Sequence, residues 1–299
     1  MSPRTRTQAT SRAAWASVAS NSALIAGKLV VGLLAGSVSI IAEALHSGMD
    51  LAASFMALFS VRRAGEPADG DHRYGHGKFE SLSGLLEGLL ILAAAVLIVY
   101  VAVHRIIHGA QLENEGLGVA IMAVSSLVNA VIARYLFRIA KAHDSLALSA
   151  DAWHHWTDVY SSVAVLVAVG AIYFGAPPVL DPIGAIVVAL VIVHAAYQLC
   201  ADASAQLLDR ALPLAEEQAI VMLIQEHAGQ FVSFHNMRTR KAGAERHVDL
   251  HLVMAPEVSV AEAHDIVTHL EQEIVALFPG TTVITHMEPP GSRDLPTRT

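Results

Sequence analysis

Two segments of the sequence place a histidine four residues ahead of an aspartate. One holds His46 and Asp50 in SVSIIAEALHSGMDLAAS, and the other holds His154 and Asp158 in SADAWHHWTDVYSS. Residues four apart share one face of a helix. Two helices meeting on such faces bring two imidazoles and two carboxylates around one point. That is a four-ligand N/O set suited to tetrahedral Zn2+. It has no thiolate, which disfavours Cu(I), and its two carboxylates neutralise a dication. Asp151 and His155 are also four apart. Spacing alone therefore leaves the 151/155 and 154/158 pairings both open. No H-E-x-x-H motif is present, and four protein ligands leave no position for a catalytic water. The set suits binding and release of an ion rather than hydrolysis.

Other candidate ligands lie elsewhere. The stretch PADGDHRYGHGK spaces His72 and His76 four apart, with Asp69 and Asp71 close by. Read alone, it is a solvated polar loop. Toward the C-terminus stand His235, His247, His251, His264 and His286, with Asp249 and Glu288. His247, Asp249 and His251 alternate, so they project from one face of a strand. Cys200 is the only cysteine, which excludes an internal disulfide and a Cys-rich zinc site.

The elements that must hold these residues are mostly apolar. Of 299 residues, 54% are hydrophobic and 15% charged, and mean hydropathy is +0.49. Soluble domains carry about 25% charged residues. The composition therefore points to a membrane protein, and a net charge of −8 gives no basic footprint for nucleic acid. Runs of about 20 apolar residues cross the hydrocarbon core as helices. Six such runs are expected, near residues 13–34, 37–60, 82–103, 117–137, 146–174 and 178–201. A basic cytoplasmic tail, 1–12, precedes them. The six-span transmembrane domain covers 13–208.

The second and fifth runs hold the ionisable residues. An ionisable residue within a span costs roughly 2.5–3.5 kcal/mol on insertion scales, so such residues are rare unless functional. Lys28 can pack its stem in lipid and reach a headgroup or a carboxylate. Asn21 and Asn129 are expected to bond between helices. Glu43 and Glu87 are candidate proton-relay groups, and His194 is expected to pack between helices.

Lys and Arg placement sets the orientation. Arg4, Arg6, Arg12, Arg62, Arg63, Arg73, Lys78, Arg138 and Lys141 fall on one side, with Arg105 the exception. That side is cytoplasmic, so both termini are expected there. Residues 209–290 read as α-β-β-α-β, a small cytoplasmic α+β domain, with a disordered tail at 291–299. The expected fold is thus an all-α six-helix transmembrane bundle plus an αββαβ, metallochaperone-like domain.

In these motifs the sequence resembles the cation diffusion facilitator family, in particular its bacterial zinc/iron efflux branch. The marks are SVSIIAEALHSGMDLAAS, HRYGHGKFESL, SADAWHHWTDVYSS, SAQLLDRALP and the His-bearing C-terminal domain, in the family's order over residues 12–290. The resemblance implies a homodimeric, proton-coupled exporter of divalent metal in the plasma (inner) membrane, with no organic cofactor and no nucleic-acid partner. It implies a transport site of His46, Asp50, His154 and Asp158, choosing His154 over His155. Iron/zinc members carry Asp at the first position; His46 resembles zinc-preferring members and favours Zn2+ over iron. The resemblance also implies a loop site of Asp69, His72 and His76. It further implies a two-metal cluster of His235, His251, His264, His286 and Glu288 at a dimer interface. Lys78 and Asp209 correspond to a charge pair at the membrane surface. Export of Fe2+, Cd2+, Co2+ or Mn2+ and a non-transporting metal sensor are the alternatives.

Overall fold

The computed structural model describes residues 3–36, 38–108, 116–177 and 179–291. The expected tail at 291–299 lies almost wholly outside them. The chain divides into two units, one over residues 2–204 and one over 205–299.

The first unit is a bundle of six long helices. They are α1 (Pro3–Ala35), α2 (Val38–Ala64), α3 (Lys78–His108), α4 (Gly116–His143), α5 (Leu146–Tyr173) and α6 (Leu180–Leu207). Among the described residues, all of them but α2 contain segments long and apolar enough to cross a membrane. Side chains such as Leu90, Leu97, Val131 and Leu190 stand exposed on the bundle's surface. Water would penalise so much bare hydrocarbon, whereas lipid solvates it. Buried positions hold small residues that let backbones approach. A Cβ on Gly88 would lie 2.6 Å from Cys200 Sγ, so α3 and α6 meet here closely.

The helices outrun the apolar runs that reveal them. The basic tail expected over residues 1–12 is helical from Pro3 onward, and its polar face is packed. Arg6 donates from Nη2 to Glu80 Oε1 at 2.8 Å and from Nε to the His143 carbonyl at 2.9 Å. Glu80 is fully buried and also accepts from Ser145 Oγ, whose own oxygen caps the start of α5. These contacts tie together one end of α1, α3, α4 and α5. Arg105, the exception to the charge asymmetry, pairs at 3.0 Å with Asp181 near the start of α6.

The second unit contains α7 (Leu214–Glu226), β1 (Ser233–Ala242), β2 (Glu245–Val253), α8 (Val260–Leu277) and β3 (Thr281–Glu288). The sheet order is β1-β2-β3; β1 pairs antiparallel with β2, and β2 pairs parallel with β3. The parallel pair requires a crossover, which α8 supplies. Ile220, Ile224, Leu250, Leu252, Leu270 and Ile274 form the core. Arg246 clamps Glu216 with two bonds of 2.8 and 3.0 Å, fixing the start of α7 to β2. The observed α-β-β-α-β order is the one expected.

Candidate metal centres

Within the bundle, α2 and α5 bring Asp50, His154 and Asp158 together. One ligand atom from each lies within 4.8 Å of the others. His154 Nε2 stands 3.1 Å from Asp50 Oδ1. Tetrahedral ligands about 2.0–2.1 Å from zinc are spaced about 3.3–3.4 Å apart. The approach of His154 to Asp50 therefore needs little change to admit the ion. His46 lies on α2 one turn before Asp50, but its side chain, like that of Glu43, is outside the described residues.

Polar side chains from other helices hold this group. Asn129 Nδ2 on α4 donates to Asp158 Oδ2 at 3.3 Å. Asn21 Nδ2 on α1 donates to the Asp50 carbonyl at 3.3 Å and to Ser54 Oγ at 2.9 Å. Both asparagines thus bond between helices, as expected.

The pair Asp151 and His155 has a different setting. Both are fully buried, as are Ser17 and Ser54. His155 Nε2 lies 2.9 Å from Ser17 Oγ, which lies 2.8 Å from Ser54 Oγ. Ser54 donates to Asp151 Oδ1 at 3.1 Å. His155 Nδ1 lies 3.1 Å from Asn129 Oδ1, so Asn129 bridges this network and Asp158. Geometry therefore separates the two pairings that spacing left open. The 154/158 pair faces Asp50, and the 151/155 pair is bound into a buried polar seam. The seam's members come from four helices, and no local periodicity marks them.

A cavity of about 250 Å3 opens beside Asp50 and Asp158. Its walls include Lys28, Ser47, Met122, Ser161 and Val165. These positions lie from the site toward the end of the bundle holding Ala35, His108 and Tyr173. Lys28 is buried against this cavity, donating to Ser47 Oγ at 2.8 Å, rather than packing its stem in lipid. Ser17, Ser54, Asp151 and His155 are fully buried toward the other ends of α1, α2 and α5. Glu87 is buried with Ser83 donating to it at 3.1 Å, and His194 is exposed beside Gln198.

The loop between α2 and α3 gathers Asp69, His72 and His76, again with ligand atoms within 4.8 Å. His76 Nε2 is 3.2 Å from Asp69 Oδ2, and His72 Nδ1 is 3.5 Å from Asp69 Oδ1. The backbone N–H groups of His72 and Asp71 donate to Asp69 Oδ1 at 2.7 and 3.0 Å. The His72 bond, chiefly, holds the Asp69 carboxyl below its ordinary pKa. The carboxylate is thus preformed in the state that binds a cation. His76 is buried. Asp69 and His72 keep 44% and 47% exposure, so the cup opens to solvent above the buried His76.

In the second unit, strand register aligns three of the predicted ligands. His235 pairs with His251, and His251 pairs with His286, in one row across β1, β2 and β3. Glu288, two residues beyond His286, reaches back into the row. Its Oε1 is 3.0 Å from His235 Nε2, and its Oε2 is 3.7 Å from His251 Nδ1. His235, His251 and Glu288 form a ligand group; the exposed His286 ring lies tilted by 59° beside His251, with centroids 4.9 Å apart. The exposed His264 on α8 lies near Thr268 and is outside this group. His247 is buried, its strand facing Arg240 and Thr282. Asp209 has a φ of 55° and pairs with Arg240 at 3.2 Å, while Lys78 begins α3 in the other unit.

Comparison with known proteins matches two family models in tandem. Residues 14–208 match the cation efflux transmembrane domain, and residues 212–290 match the cytoplasmic domain of cation efflux proteins. An uncharacterized transporter of Synechocystis, sll1263, is 35% identical over 262 residues, 88% of this chain and 84% of its own. The cation-efflux pump FieF of Salmonella paratyphi A is 33% identical over 279 residues, 93% of this chain and 92% of its own. CzrB, a protein named as a zinc transporter and solved in its zinc form, is 35% identical. It covers 28% of this chain and 97% of its own, with a TM-score of 0.27.

Proposed function

The chain belongs to the cation efflux, or cation diffusion facilitator, family, and on that premise we propose that it exports Zn2+ in exchange for protons. The ion is held by His46, Asp50, His154 and Asp158. The observation that carries the reading is the convergence of Asp50, His154 and Asp158 between two helices of the membrane unit. A carboxylate at that depth is costly without a function. The donor set is nitrogen and oxygen only, which suits zinc.

Transport proceeds by alternating access. Metal binding requires deprotonated imidazole and releases protons. Protons and Zn2+ therefore compete for the same atoms, and exchange needs no separate machinery. With both termini cytoplasmic in the plasma (inner) membrane, the cavity beside Asp158 leads outward. The seam of Ser17, Ser54, Asp151 and His155 closes the cytoplasmic side. This arrangement supports a release state.

The remaining sites support the same cargo. Asp69, His72 and His76 form a cup at the cytoplasmic face where zinc enters or is sensed. His235, His251 and Glu288, joined by His264 and His286 across a homodimer, bind zinc and stabilise that dimer by linkage.

The test is uptake into sealed vesicles holding the purified protein, with Zn2+, Fe2+, Cd2+, Co2+ and Mn2+ in parallel. Zinc uptake above the other ions supports the reading. Preferred iron uptake overturns the role given to His46. Folded protein that binds zinc but moves none is a sensor.

A further inference from the structure

We infer that His227, His269 and Glu273 form a further divalent-cation site, suited to Zn2+, joining the end of α7 to α8. The three residues supply ligand atoms within 4.8 Å of one another. None belongs to the row built on His251 and Glu288. His227 caps the C-terminus of α7, and His269 and Glu273 stand four apart on α8.

The two imidazoles converge on the two oxygens of one carboxylate. His227 Nε2 is 3.4 Å from Glu273 Oε2, and His269 Nε2 is 3.2 Å from Glu273 Oε1. Both separations match the edge of a zinc tetrahedron, about 3.3–3.4 Å. The imidazole rings meet edge to face, with centroids 5.6 Å apart.

The hydrogen bonding of His227 fixes its chemistry. Its Nδ1 lies 3.1 Å from the Leu223 carbonyl oxygen. A carbonyl only accepts, so Nδ1 carries the hydrogen. With Nε2 deprotonated, its lone pair faces the Glu273 carboxylate, and a cation between the two atoms would be coordinated by both. Ligating histidines characteristically donate their other N–H to a carbonyl or carboxylate, which orients the ring. Leu223 provides that support here.

Exposure suits exchange with solution. The His269 side chain is 57% exposed and Glu273 38%, whereas His227 is 15% exposed. Two imidazoles and one oxygen of the carboxylate would fill three of four positions, leaving one for water. The ion would connect α7 to α8 on a side of the domain that the His251 row does not use. This site does not rest on the transport reading, because binding here requires no membrane flux.

The experiment uses the full-length protein in detergent, stripped by a chelator and reloaded with Zn2+. Bound zinc is counted for the wild type, His269→Ala and Glu273→Gln, and located by anomalous scattering at the zinc edge. The expected result is loss of about one zinc per chain in each variant, with wild-type density between the three side chains. Amide exchange over residues 224–230 should slow on zinc addition in the wild type and not in Glu273→Gln. The variants lie at an exposed surface, and retained binding at the His251 row shows that they are folded. Unchanged stoichiometry, with no density at Glu273, overturns the proposal.

Discussion

Asn129 on α4 joins Asp158 to His155: its Nδ2 donates to the Asp158 carboxylate at 3.3 Å, and its Oδ1 lies 3.1 Å from His155 Nδ1. One amide therefore couples the ligand group to the sealed seam. Carbonyl oxygens only accept, so His155 Nδ1 carries the hydrogen. Contacts then run from Asp158 through Asn129, His155, Ser17 and Ser54 to Asp151.

Asn129→Ala should lower zinc affinity about 10- to 100-fold, as loss of a group orienting a metal ligand does. Asp158 would keep its charge but lose its orientation. A competition titration against a chelator, with purified protein, reads the change. Affinity equal to that of the wild type would mean that Asn129 serves only helix packing.

Arg6→Ala should destabilise the membrane unit by about 3 kcal/mol, the lower end for breaking a buried pair. Glu80 is fully buried while Arg6 keeps 21% exposure, so among the described residues the charge left behind would keep the Ser145 hydroxyl as its hydrogen-bond donor. The thermal midpoint in detergent should fall, and the double variant Arg6→Ala/Glu80→Gln should recover part of the loss. A double variant less stable than Arg6→Ala would contradict this.

Gly88→Ala should cost about 1–3 kcal/mol by overpacking. Its added methyl would meet Cys200 Sγ at 2.6 Å and the Cys200 backbone nitrogen at 3.4 Å. Removing the sulfur with Cys200→Ala should restore most of the stability. Equal midpoints for Gly88→Ala with and without Cys200→Ala would place the strain in the backbone contact.

Ser259→Ala should fray the start of α8 and cost about 1 kcal/mol. Ser259 and Glu262 form a reciprocal cap, with the Ser259 N–H donating to Glu262 Oε2 at 2.9 Å. Bonds from Ser259, first its backbone N–H, hold the Glu262 carboxyl below its ordinary pKa. A lowered acid stabilises above its unfolded pKa and loses that contribution as pH falls through the folded value. Protection factors at residues 260–263, corrected for the intrinsic exchange rate, should therefore fall in acid for the wild type. Ser259→Ala should show a smaller pH response; an equal response would separate the cap from the titration.

Much of this arrangement was legible in the residues. Apolar run length gave the six helices, and four-residue spacing put Asp50 on the face that meets His154. It could not give the partners of Asp151 and His155. Ser17, Ser54 and Asn129 come from three other helices, and single polar residues in apolar runs carry no periodic signal. The helix at residues 3–12 escaped for a related reason. Its stability comes from Arg6 and Thr10 packing against distant elements, not from apolar content. Strand alternation put His247, Asp249 and His251 on one face, but the row His235–His251–His286 depends on register. The irregularity between His235 and Arg238 shifts that register. His227 and His269 meet only because α7 and α8 pack, so sequence separation hid their site.

Exchange of zinc for protons through the Asp158 site is tested by following zinc and protons together in proteoliposomes under an imposed pH gradient, with Asp158→Ala alongside. Zinc flux should follow the gradient, with an opposing proton flux of the same time course, and both should be lost in the variant. Zinc flux indifferent to the gradient, or persisting at wild-type rate in Asp158→Ala, would contradict it.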